Sequence, residues 1–154
     1  MSKTSAGLLM YRLRLGKPQV LLVHPGGPFW RSKDQGAWSI PKGEVADDED
    51  LLAAAQREFA EELGHTPSGT FVPLTPIRQK SGKVVHAWAV AGDLDTAAIT
   101  SNTFTMEWPP GSKKQTEFPE VDRAEFFDLE TGKKKINPAQ VALLVELERL
   151  LATS

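Results

Sequence analysis

A chain of 154 residues, 40% hydrophobic and 25% charged, has the size and balance of one soluble globular domain with a core of its own. A formal charge of -2 argues against a protein that lives on nucleic-acid backbone or an anionic membrane, and admits a small polyanionic ligand only beside concentrated positive charge or metal. The lack of cysteine excludes disulfides and thiolate metal sites, and no stretch approaches the ~20 apolar residues of a membrane span or the apolar run of a signal peptide. A cytoplasmic enzyme or binding domain is expected.

"SAGLLMYRLRL" (Ser5 to Leu15) has the apolar and alternating character of a strand, punctuated by "GKP". "QVLLVH" (Gln19 to His24) is the compact apolar run of a buried strand. "PGGPFWRSKDQG" reads as a loop, and "AWSIPKG" as a short strand that ends where Pro41 forbids continuation. From Asp47, "DDEDLLAAAQREFAEELG" opens with acids suited to a helix N-terminus, continues in strong helix formers and stops at Gly64. Leu52, Ala55, Phe59 and Leu63 form its packing face. Glu58, Glu61 and Glu62, at i, i+3 and i+4, project from an adjacent face, roughly a third of a turn round. "TFVPL" and "IRQKSGKVVHAWAVAGDL" read as strands, the second with a turn at Ser81–Gly82. Between Ser101 and Leu129 lie a strand candidate, a Pro/Gly-rich loop and another strand around Ala124 to Leu129. "NPAQVALLVELERLLA" is an amphipathic helix with Asn137 as cap and Pro138 at its first position. With no internal repeat and no linker, residues 1–154 read as a single mixed α/β domain with few helices.

Three carboxylates on one helical face repel by a few tenths of a kcal/mol per pair when exposed, so a positive partner is expected. From Gly43 to His65 the chain reads "GEVADDEDLLAAAQREFAEELGH", with the spacing G-x5-E-x7-R-E-U-x-E-E-x-G and apolar Phe59 at U. Gly43, Glu49, Arg57, Glu58, Glu61, Glu62 and Gly64 fill every fixed position, and this resembles the signature of the Nudix hydrolases. His65 stands where that family carries an aliphatic residue. The resemblance implies an α/β/α sandwich with a mixed, curved sheet. It also implies hydrolysis of a phosphoanhydride bond in a nucleoside polyphosphate, assisted by Mg²⁺, with Mn²⁺ as an alternative.

The chemistry of the residue types agrees. Carboxylates repel phosphates unless a divalent cation lies between them, and Mg²⁺ is a hard ion that bridges carboxylates to phosphates. The resemblance makes Glu58, Glu61 and Glu62 its ligands, with the Gly43 carbonyl a further one and Glu58 or Glu61 also accepting a proton. Arg57 is implied to pair with Glu49 or to orient a catalytic carboxylate. Lys42 is placed to neutralise phosphate as a point cation. Either Glu117 or Glu120 lies where many family members supply one more acid.

Outside the box the residues leave alternatives open. His24 ends a strand facing a loop, where substrate contact and a strand cap are both open, and His86 reads as a structural strand residue. Trp38 and Trp88 suit a core better than a stacking platform. Loops carry recognition more often than core strands, so Phe29 and Trp30 of the first loop and Trp108 before "PPG" are the candidate base-stacking surfaces. The lysines of "GSKK" and "GKKK" read as solvated.

"WSIPKGEV" is similar to members acting on dinucleoside polyphosphates and nucleoside triphosphates, oxidised ones included. The downstream tyrosine that marks the former is absent, since Tyr11 is the only tyrosine. Pro73 and Pro76 fall too near the box for the proline that marks ADP-ribose enzymes. The partner is then a small-molecule nucleotide rather than nucleic acid or membrane. Rivals are a domain that senses a nucleotide without cleaving it, an ADP-ribose or nucleotide-sugar pyrophosphatase, and a metal-carrying structural domain.

Overall fold

The computed structural model describes residues 3–153. In β1 (Thr4–Arg14), Ala6, Leu8 and Met10 pack into one apolar cluster while Leu9 packs into another, and all four are fully buried. A strand covered on both faces belongs at the centre of a layered sheet. β2 (Lys17–Pro25) pairs with it antiparallel, and β6 (Val84–Ala91) runs parallel along its other edge. The short strands β3 (Lys42–Glu44), β4 (Val72–Pro73) and β5 (Ile77–Arg78) join β9 (Val121–Asp128) to complete a mixed seven-stranded sheet. Its main path is β4-β6-β1-β2-β9. A separate hairpin, β7 (Thr103–Glu107) and β8 (Gln115–Pro119), forms a two-stranded sheet of its own.

One irregularity places the site. β2 pairs with β1 only through Tyr11–Arg14, and β3 takes the remaining partners Ser5, Ala6 and Gly7. The splaying of β2 from β1 thus lets Lys42 and Gly43 enter the sheet beside the helix that follows.

That helix, α1 (Leu51–Leu63), buries Ala54, Ala55, Phe59 and Leu63 against Ala6, Leu8, Met10, Leu21 and Val23. The opposite face is covered by α2 (Leu129–Lys135) and α3 (Val141–Ala152). Leu143, Leu144 and Leu147 of α3 join Leu9, Val20, Leu22 and Trp38. The result is the expected α/β/α sandwich with a mixed sheet.

Several local expectations need correction. The helix begins at Leu51, capped by Asp50, whose carboxylate accepts from Ala53 N–H at 3.0 Å. Asp47 to Glu49 therefore lie in the preceding loop. "AWSIPKG" is no strand ending at Pro41. Ser39 and Trp38 make single bridges, and β3 starts just after the proline, whose carbonyl accepts from Leu8 N–H. β2 begins at Lys17, two residues earlier than expected, because Leu15–Gly16 makes a tight turn. The second strand of the 103–119 hairpin, the helix α2, and the 3₁₀ turn Pro138–Gln140 ahead of α3 went unread. The lysines of "GKKK" are not simply solvated: Lys133 pairs with Glu148 at 2.9 Å, and Lys135 pairs with Asp34. Asn137 does cap, accepting from Ala139 N–H at 2.9 Å.

Candidate active site

Two forces fix α1: burial of its apolar side and closure of its C-terminus by Gly64 at φ 68°, whose N–H donates to the Ala60 carbonyl. With the helix pinned, Glu58, Glu61 and Glu62 face β3. The approach is so close that a Cβ on Gly43 would overlap the Glu58 carboxyl group. Any side chain there would have to push the Glu58 carboxyl out of its place. Lys42, Gly43, Glu58, Glu61, Glu62 and Glu120 share a pocket of about 510 Å³, walled also by Glu44, Asn102 and Thr103. The backbone closes that wall: Asn102 N–H donates to the Glu61 carbonyl, and Glu120 N–H to the Asn102 carbonyl.

Arg57 stands behind the acids. Its Nε and Nη2 donate to the two oxygens of Glu49 at 2.8 and 3.0 Å, the planar fork that a carboxylate matches. Nη1 donates to Glu58 Oε1 at 2.9 Å and Glu61 Oε2 at 3.1 Å, and Nη2 also reaches the Glu44 carbonyl. These bonds hold the Glu49 carboxyl down at about 2. The same contacts raise the guanidinium further.

The pocket acids are under opposite strain. Burial first, then the charge of Glu58, pushes Glu62 up to about 8, although Lys42 pulls the other way. Glu58 is raised by burial against the stabilising bond from Arg57. Lys42 is lowered by burial and by Lys83, with Glu62 and Glu58 opposing. Glu62 Oε2 is sealed from solvent and has no hydrogen-bond partner.

Among the described residues no three acids converge tightly enough to chelate an ion as they stand. Glu58 and Glu61 instead share the Nη1 of Arg57. The donor set nonetheless fits a hard divalent cation, being all oxygen, mostly anionic, and containing one buried acceptor with nothing to accept.

Other expected residues lie elsewhere. His24 is 1% exposed; its Nδ1 is hydrogen-bonded to the Asp122 carboxylate at 2.8 Å, and its Nε2 to the Lys33 carbonyl at 2.7 Å. With both nitrogens engaged and the ring edge-on to Trp38, it has nothing left for substrate, which corrects that expectation. It pins the first loop instead. Glu117 is exposed on β8 opposite Thr105 and does not line the pocket, so Glu120 alone of that pair does. Trp30 and Trp108 are also outside the pocket. Phe29 meets Trp108 edge-on at 5.8 Å, Lys33 Nζ lies 5.1 Å over the Trp30 ring, and Phe29 and Trp30 are exposed. β7, at ~3.3 Å per residue, sets the Trp108 turn ~17 Å from Thr103. Trp38 is core, and Trp88 packs part-buried against the α1 side. His65 sits edge-on to Phe59 at 6.3 Å, so the departure from an aliphatic residue keeps an apolar contact. Asn102 and Thr103 were not foreseen, since no motif marks them.

Known proteins resemble this chain in sequence and in fold. A 52-residue stretch is 44% identical to an RNA pyrophosphohydrolase of Caulobacter vibrioides, and the match spans 30% of this chain and 30% of that protein. A C. elegans Ap4A hydrolase in a binary complex superposes with a TM-score of 0.71 at 24% identity, over 97% of this chain and 99% of that one. The NUDIX domain of Shewanella oneidensis NrtR, crystallised with ADP ribose, superposes with a TM-score of 0.65 at 17% identity, over 99% and 89%. At such identities the two structures speak to the fold. The NUDIX domain model itself matches residues 1–147, which takes in β1, the box and most of α3, and the chain belongs to the Nudix family.

Proposed function

We propose that the chain is a divalent-metal-dependent pyrophosphohydrolase cleaving a phosphoanhydride bond of a nucleoside polyphosphate. One observation supports this most: Glu58, Glu61, Glu62 and Glu120 face one pocket with a single lining lysine, and the most enclosed of them keeps an unpartnered oxygen. Such a pocket would expel a polyphosphate unaided. Glu58, Glu61 and Glu62 would hold Mg²⁺ or Mn²⁺, with Glu120 and the Gly43 carbonyl as further donors. When bound, the cation supplies an acidified water and a polarised phosphoryl oxygen.

The chain's own residues do the positioning. Arg57 fixes the orientation of Glu58 and Glu61 at the pocket wall, and Glu49 keeps Arg57 in place. Glu58 or Glu61 takes the proton of the attacking water. Lys42 offsets phosphate charge, and the bare Gly43 lets the β3 backbone come close. Phe29, Trp30 and Trp108, with Lys33 beside them, supply apolar faces and a cation for a base and its phosphates. The substrate is a dinucleoside polyphosphate or a nucleoside triphosphate, oxidised forms included.

Chromatographic separation of the nucleotide and phosphate products from a panel of triphosphates, dinucleoside polyphosphates and ADP-ribose, with and without Mg²⁺ or Mn²⁺, tests the reading. Turnover that requires the cation is expected. Tight nucleotide binding with no turnover under either cation would favour a sensing domain instead.

A further inference from the structure

At the end of β1 remote from the carboxylates, ~30 Å along the strand from Ser5, the surface is apolar. Leu13, Leu15 and Leu150 are 61%, 102% and 37% exposed there, half of the six exposed large apolar residues among those described. Leu13 lines a groove of about 650 Å³ between the β1–β2 turn and the C-terminal helices, whose floor includes Pro18, Leu129 and Leu151.

The turn itself is unusual. Leu15 and Gly16 have φ of 53° and 77°, the two positive values that the tightest hairpin turn requires. Asn, Asp or Gly is the usual first residue of such a turn. A leucine is disfavoured there both by its backbone and by its complete exposure to water. The chain therefore carries a convex apolar knob beside a concave apolar slot. Charge follows shape in part: Arg14 and Lys17 flank the knob, and the slot is edged by Asp128, Glu130 and Glu148 together with Lys17 itself, with Lys133 reaching Glu148 at 2.9 Å and Glu130 at 3.6 Å. Lys17 makes no ion pair among the described residues, and Arg14 reaches only Asp93, at 3.5 Å.

An exposed apolar knob with Arg14 at its base and an apolar slot with a net acidic rim, on one end of one chain, are what a two-fold interface needs, because each element of the pair then meets its complement twice. We propose that two copies of this chain associate through this end, Leu15 of each seated in the groove of the other. Arg14 and Lys17 of one copy face Asp128, Glu130 and Glu148 of the other. This surface is independent of the hydrolytic reading.

Sedimentation equilibrium tests it. The parent chain is expected to dimerise. Leu15→Asn, which suits the turn better and removes the knob, weakens association about tenfold or more while leaving the fold at least as stable. Lys17→Glu and Glu130→Lys each oppose like charges across the two-fold axis and should be monomeric alone. Mixed, the two variants set opposite charges against each other in both halves of the interface, so a mixed dimer forms. A parent chain that stays monomeric at every concentration overturns the proposal and leaves the groove to another partner. So does a dimer unmoved by Leu15→Asn, or single-charge variants that do not rescue each other.

Discussion

All five N–H donors of Arg57 find acceptors, two on Glu49 and one each on Glu58, Glu61 and the Glu44 carbonyl. A lysine has three donors at one point and cannot hold Glu49 in a fork while reaching two other carboxylates. Arg57→Lys should therefore lower kcat by more than it changes KM, since the acids lose their aim while the substrate contacts remain. Unchanged kcat would make the arginine a packing partner only. Glu62 gives a second prediction at this scale. With its carboxyl near 8, it carries a proton at pH 7 in the metal-free protein, and a bound cation must displace it. Calorimetry of Mg²⁺ binding in buffers of different ionisation enthalpy should register about one proton released, and Glu62→Gln should abolish that release. Binding without proton uptake by the buffer would place the ion elsewhere.

At the scale of elements, the first loop and the β7–β8 hairpin hold the aromatic surface away from the acids. His24 and its bond to the Lys33 carbonyl tie down the loop, and Gly27 packs against Phe104 of the hairpin. Base stacking measured by truncation is worth ~1–3 kcal/mol in nucleic-acid complexes. Trp30→Ala or Trp108→Ala should then raise KM about 5- to 150-fold for the best nucleotide, and leave inorganic or non-nucleoside diphosphates unaffected. Parental KM and base preference in both variants would show that the pocket for the base lies elsewhere. The same scale shows what the sequence made legible. The box helix could be read because spacing, capping acids, apolar period and a terminal glycine agreed. Pro41 misled because it breaks a ladder but also permits a strand to start behind it, which is what β3 does. α2 was invisible because seven residues with one glycine and three lysines carry no apolar period; Asp128 starts it by accepting from Thr131 N–H. For His24 the sequence left substrate contact and a strand cap both open, and only the fold brings Asp122, 98 residues away, against it.

For the whole molecule, the strained pocket makes stability depend on pH and on metal together. The Glu62 carboxyl keeps its proton to about pH 8 when folded, but loses it near 4.5 when unfolded. The folded state thus binds more protons across that interval, and the metal-free protein should lose stability as pH rises from about 4.5 to 8. Glu49, held near 2, acts oppositely: its contribution is present above about 4.5 and is lost only as pH falls toward 2. Thermal unfolding from pH 5 to 8 in chelator should show the decline. Glu62→Gln should flatten it, and an equal slope in that variant would refute the assignment. The central claim, that these glutamates serve a cation which serves hydrolysis, is tested most directly by nucleotide turnover in saturating Mg²⁺ for the parent, Glu61→Gln and Glu62→Gln. Parental turnover that vanishes in chelator is expected. Both variants should be slower by orders of magnitude with an unchanged circular-dichroism spectrum, since losing a metal-contacting carboxylate removes several kcal/mol of transition-state stabilisation. Full activity of both variants would contradict the account.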